Sequence, residues 1–178
     1  SLASLAPLTT GQVKALTSDQ ISSLLLGQIT TLKTSQLQAL SSVQVQSLTT
    51  AQLVALTTAQ VRGLGTSVLT MLSTEQTAAI EVADITALST AQVSALRTDQ
   101  VSALTLSQLS GFTSQAIAAL TTRQLGVLTT ADIAALSTDQ IGALTTSQIG
   151  GLTTGQIAAL TTAQAAAIET QDLAKLST

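Results

Sequence analysis

The chain has 178 residues, 45% of them apolar and only 8% charged, with a net charge of -3, Phe112 as its only aromatic and neither histidine nor cysteine. So weak and scattered a charge excludes a nucleic-acid binder, which needs a basic stripe and usually stacking aromatics. A positive mean hydropathy and a single proline argue equally against disorder.

Ser1 to Pro7 read as a degenerate repeat or an array boundary. From Leu8 onward one octad returns without insertion or deletion, and 8–178 reads as a single solenoid of 21 full octads and a partial one. Its positions 1 to 8 are Leu, Ser/Thr, Thr, variable, Gln, Ile/Val/Leu, variable and a small residue. Position 1 departs from Leu only at Ile80, Phe112 and Ile168, and position 6 from an aliphatic only at Thr77 and Ala165. Position 5 is Gln in 16 octads and Asp in three (Asp84, Asp132, Asp172), with Val68 and Ala116 completing it. Leu176-Ser177-Thr178 opens a repeat that it does not finish, as expected of a chain cut from a larger protein. No basic head with an apolar core opens the sequence. No apolar run nears the ~18 residues of a spanning helix, and no transmembrane segment is expected.

A coiled coil fails on the period. Eight residues turn a helix by about 800°, so position 1 would spiral round the axis within a few octads. A β-solenoid is the alternative, since Thr, Val and Ile suit strands. Its apolar positions 1 and 6 have opposite parity, however, and the glycines mark no fixed corner. A short helix per octad explains more: Ser/Thr at position 2 as N-cap, Gln at N3 closing a capping box, and positions 1 and 6 forming the hydrophobic staple. Acidic residues at position 4 (Asp19, Glu75, Asp99, Asp139) then suit the helix dipole. Where position 2 is Lys33, Gly65, Glu81 or Arg97, position 3 could take over as the cap. The predicted fold is all-α, a solenoid or superhelix of very short capped helices spanning roughly positions 3 to 8. Such helices lie far below the ~12 residues of autonomous helicity and depend on stacking.

The predicted capping residues are Thr129 with Asp132, Ser137 with Gln140, Thr145 with Gln148, Thr153 with Gln156 and Thr161 with Gln164. The predicted core comprises Leu128, Ile133, Leu136, Ile141, Leu144, Ile149, Leu152, Ile157 and Leu160. Asp84, Asp132 and Asp172 read as substitute N3 caps rather than as hard-cation ligands, because calcium sites gather several oxygens. No catalytic, cofactor-binding or metal residue is assigned. Zinc sets and Ser-His or Cys-His pairs need residues that are missing, and a hydroxyl without a base is no nucleophile. The chain therefore reads as no enzyme.

Leu128-Thr129-Thr130-Ala131-Asp132-Ile133-Ala134-Ala135-Leu136-Ser137-Thr138-Asp139-Gln140-Ile141 resembles the Thr/Gln/Ala-rich octapeptide tracts of large bacterial exported or surface proteins, some adhesin-like. The resemblance covers nearly the whole chain. It implies an extracellular or cell-surface spacer, stalk or filament component. Expected partners are further copies, side by side or end to end, or, in the alternative reading, a surface carbohydrate, a protein or ice against the Ser/Thr-rich face. Neither cofactor nor nucleic acid is expected.

Overall fold

The computed structural model describes residues 4–168. Among them lie twenty α-helices of four to six residues and no strand, from α1 (Thr10–Lys14) to α20 (Thr162–Ala167), one in each octad. The helical alternative to strands is the one the chain adopts. Gln at position 5 sits in the first helical turn, not in a sheet ladder.

Each helix begins at the same point. Position 2 is extended, as at Ser137 (φ -71°, ψ 162°), and its carbonyl accepts the first helical bond, from Ile141 N–H at 3.0 Å. Two reciprocal bonds close the turn: Ser137 N–H donates to Gln140 Oε1 at 2.8 Å, and Gln140 N–H to Ser137 Oγ at 3.1 Å. This capping box satisfies two of the N–H groups that a helix start leaves orphaned. At the far end, position 1 turns extended, as Leu48 does (φ -61°, ψ 130°), while its N–H donates to the position-6 carbonyl. No positive φ occurs among the described residues, glycines included, so two extended residues per octad redirect the chain without left-handed turns.

The cap does not migrate where the hydroxyl is missing. Lys33, Gly65, Glu81 and Arg97 remain N-caps, as does Leu25, none with a side-chain cap bond. At Lys33 the glutamine still holds the cap N–H, at 2.7 Å. The N–H of Gln36 turns instead to the Lys33 backbone carbonyl, at 2.9 Å. Register is fixed by burial of positions 1 and 6, and moving the cap by one residue would rotate both out of the core.

The chain divides after Leu88 into two compact units. Within each, a helix packs on the helix three further along. In the first, α4 (Thr34–Gln38) lies on α1 and α7 (Thr58–Gly63), and α7 on α10 (Val82–Ala87). In the second, α14 (Ser114–Ala118) lies on α11 (Thr90–Ala95) and α17 (Thr138–Gly142), and α17 on α20. Three octads therefore complete one winding of each all-α solenoid. Position 6 faces inward: Val13, Ile29, Val45, Val93, Ile117 and Ile133 are all fully buried.

The near-constant Thr at position 3 serves this stacking. A Cβ added to Gly151, at position 8, would lie 3.1 Å from Thr122 Cγ2, a position-3 methyl three octads earlier. One added to Gly63 would run into Thr34 Cγ2 in the same relation, with Thr34 Cβ at 3.0 Å. The methyl thus covers the small residue of the next winding. Gly63→Ala is expected to cost about 1–2 kcal/mol through overpacking against a stiff β-branched neighbour, despite the gain in helix propensity. Chemical denaturation of G63A in the wild-type and Thr34→Ala backgrounds checks this, the loss largely vanishing in the second.

Candidate functional site

The capping box uses only one end of each glutamine. The other end reaches back across a winding. Gln140 Nε2 donates to the carbonyls of Leu109 at 2.9 Å and Phe112 at 2.7 Å, 31 and 28 residues earlier. The same pair of separations recurs in the first unit, where Gln44 donates to Val13 and Leu16, Gln52 to Ile21 and Leu24, and Gln60 to Ile29 and Leu32. Gln36 does so with Leu5 and Leu8. The second unit repeats it with Gln124, Gln148, Gln156 and Gln164.

One planar amide therefore accepts from the cap of its own helix and donates to the trailing carbonyls of an earlier one. It serves as an N-terminal and a C-terminal cap together. These carbonyls are the orphans that a helix C-terminus must satisfy. Burial follows: Gln100 is 0% exposed and Gln36 1%, whereas Gln12 and Gln20, in the first winding, are exposed. Among the described residues, no fully buried side-chain nitrogen or oxygen lacks a partner.

The predicted caps lie within this ladder. Thr129 caps α16 (Thr130–Ala135) with Asp132, and Ser137 caps α17 with Gln140. Thr145, Thr153 and Thr161 cap the next three helices, in reciprocal boxes with Gln148, Gln156 and Gln164. Leu128, Ile133, Leu136, Ile141, Leu144 and Ile149 are buried. Leu152, Ile157 and Leu160, placed in the predicted core, are only half-buried.

The aspartates differ from one another. Asp132 caps with Oδ2, accepting from Thr129 N–H and Thr129 Oγ1, both at 2.7 Å. Asp84 does not cap: it is 3% exposed and forms no box with Glu81. Glu81 supplies no hydroxyl to draw the carboxylate back. Asp172 lies outside the described residues. Neither aspartate carries an amide, and Val68 has no polar group at all. The carbonyls that the ladder register places opposite them, Leu104 for Asp132, Leu56 for Asp84 and Leu40 for Val68, accept no side-chain donor among the described residues. These acceptors are the half of the site that the octad pattern does not reveal.

Charge adds little. Among the described residues no group of three or more carboxylates gathers. The ion pair there is Arg97 with Asp99, Nη2 to Oδ2 at 2.9 Å and Nε to Oδ1 at 3.0 Å, on the surface. Arg97's hydrogen bonds hold the Asp99 carboxyl below its ordinary value of 3.8. The pair's contribution is complete above that value and fades as pH falls through the depressed one, and exposure keeps it within about 1 kcal/mol. Titrating Asp99 by NMR checks this, with Arg97→Ala expected to raise its pKa. No helix among the described residues is long and apolar enough to cross a membrane.

No curated protein and no solved structure matches the chain. The ALTTAQ repeat model matches residues 26–58, 77–114 and 126–162. Most octads in these stretches carry the leucine, the capping hydroxyl and the ladder glutamine in one spacing. The stretches cover more than half of the sequence, and the chain belongs to the ALTTAQ repeat family.

Proposed function

We propose that the chain is a structural module, a rod, stalk or filament scaffold of an extracellular or surface assembly, and not an enzyme. The observation that carries this is the glutamine ladder. The ladder glutamines and most position-2 hydroxyls are used within a helix or between windings, as at Gln140 and Gln148. Side chains committed in this way hold an array together. Repeats stacked through near neighbours also lengthen without redesign, which suits a spacer. The resemblance to exported and surface tracts favours a bacterial envelope setting. Further copies, laterally or end to end, are the natural partners.

Small-angle scattering of the full chain and of a tandem duplication tests the reading. The expected result is an elongated particle whose maximum dimension grows in proportion to the number of octads. A compact particle growing in all directions would sink it.

A second reading draws on the exposed hydroxyls. Thr129, Thr130, Ser137, Thr138, Thr153 and Thr154 all face solvent, repeating every octad. They offer a regular hydroxyl face to carbohydrate or protein, and a glycan array separates this role from a purely structural one.

A further inference from the structure

Asp84 breaks the ladder differently from the other described residues at position 5. Where a glutamine stands beyond the first winding, as at Gln76, its amide donates to two carbonyls 31 and 28 residues earlier; for Asp84 the corresponding residues are Leu53, inside the helix before α7 (Thr50–Val54), and Leu56, just after that helix, while α10 packs on α7. Aspartate is one methylene shorter and has no donor. Carried over from Gln76, the register would put a carboxylate where the ladder amide stands, next to two carbonyl oxygens. Leu53's accepts the Leu56 N–H at 3.1 Å and is also approached by the Ala55 N–H, while Leu56's accepts no hydrogen bond among the described residues.

Acceptors facing acceptors in a buried place need a donor or a cation between them. Asp84 is 3% exposed, and no described side chain or N–H is bonded to its carboxylate. A buried charge without a partner is costly, and proteins commonly resolve it by pairing or by coordinating a metal. No unpartnered side-chain oxygen of the described residues is wholly sealed from solvent, so those of Asp84 keep a narrow path to water. Asp132 lacks this character, because Thr129 occupies its carboxylate with two bonds of 2.7 Å.

We propose that the Asp84 carboxylate and the carbonyls of Leu53 and Leu56 bind one calcium ion. Calcium accepts carboxylate, carbonyl and water oxygens in flexible geometry. Three or four protein oxygens completed by water place its affinity at the weak end, Kd about 10⁻⁴–10⁻³ M. The missing methylene supplies the room. Where glutamine's amide hydrogens meet the carbonyls directly, aspartate leaves a gap about 1.5 Å longer, one carbon–carbon bond.

The test is calorimetric titration of the full chain with calcium chloride at pH 7 and fixed ionic strength, beside thermal melting. The variants are Asp84→Gln, which restores the ladder amide and is expected to fold, and Asp132→Gln as control. The expected result is one saturable site in the wild type and in D132Q, weakened at least about tenfold in D84Q. The melting midpoint should rise with calcium only where Asp84 is present. No saturable binding in the wild type, equal binding in wild type and D84Q, or magnesium binding as tightly as calcium would each overturn the proposal. None of these outcomes bears on the elongated particle expected of the structural role.

Discussion

Gln140→Glu is expected to destabilise the protein by about 3 kcal/mol or more, while Gln20→Glu leaves it within about 0.5 kcal/mol. Both substitutions keep an oxygen for the cap N–H, at Ser137 and Thr17 respectively. Both also place a negative charge in the first helical turn, where the dipole favours it. As caps alone, they would behave alike. Gln140 also donates to Leu109 and Phe112 and is 3% exposed, whereas Gln20 is exposed and its amide is given no such carbonyls. At position 140 a carboxylate removes two donors, sets an anion against two carbonyl oxygens and strips its water. Leaving a buried charge without its partner costs about 3–5 kcal/mol.

The pH dependence of Q140E follows. Burial raises the folded-state pKa of the new carboxyl above its unfolded value, so the folded state binds more protons as pH falls. The loss is therefore complete above the raised value and shrinks as pH drops towards the ordinary Glu value of about 4.3. There the protonated acid again has a hydrogen to donate. Urea denaturation of both variants at neutral and mildly acidic pH measures all of this.

The contrast between these two glutamines shows what the octad revealed and what it hid. Cap, box and staple are relations within six residues, so Leu136-Ser137-Thr138-Asp139-Gln140-Ile141 displays them openly. The donor half of Gln140 depends on a residue 28 or 31 positions away, and nothing inside an octad counts how many octads make a winding. One feature of the sequence does point to the donor half. A capping box accepts Glu as readily as Gln, yet position 5 holds sixteen Gln and no Glu. Only a role that needs the NH₂ explains that bias.

Thr at position 3 was opaque for the same reason. Its partner at position 8 lies in the next winding, as Thr34 and Gly63 show. Asp84 was misread as a cap because the local pattern of Asp at N3 is identical at Asp132. The difference lies at position 2, where Thr129 has a hydroxyl and Glu81 does not. Thr77 departs from the aliphatic residues of position 6. It is fully buried, and its hydroxyl donates to the Ser73 carbonyl at 2.8 Å, so a polar residue fits the core at no loss of satisfaction.

Ile141→Ala carries the other large effect, an expected loss of about 2–5 kcal/mol from lost burial and the cavity left behind. Ile141 is 1% exposed, on a helix covered by α14 on one side and α20 on the other. Ile141→Val should cost only about 0.5–1.5 kcal/mol, because valine already fills position 6 at Val93 and Val101 with full burial. The distribution of the damage matters as much as its size. In a stack held by neighbour contacts, stability is close to a sum over units and interfaces, so a cavity weakens the windings that touch it first. Amide hydrogen exchange of I141A is therefore expected to show lost protection in α14, α17 and α20, with α1, α4 and α7 retaining theirs. Uniform loss across all octads would mean that the chain melts as one globule, and that the ladder couples windings more strongly than nearest-neighbour stacking allows.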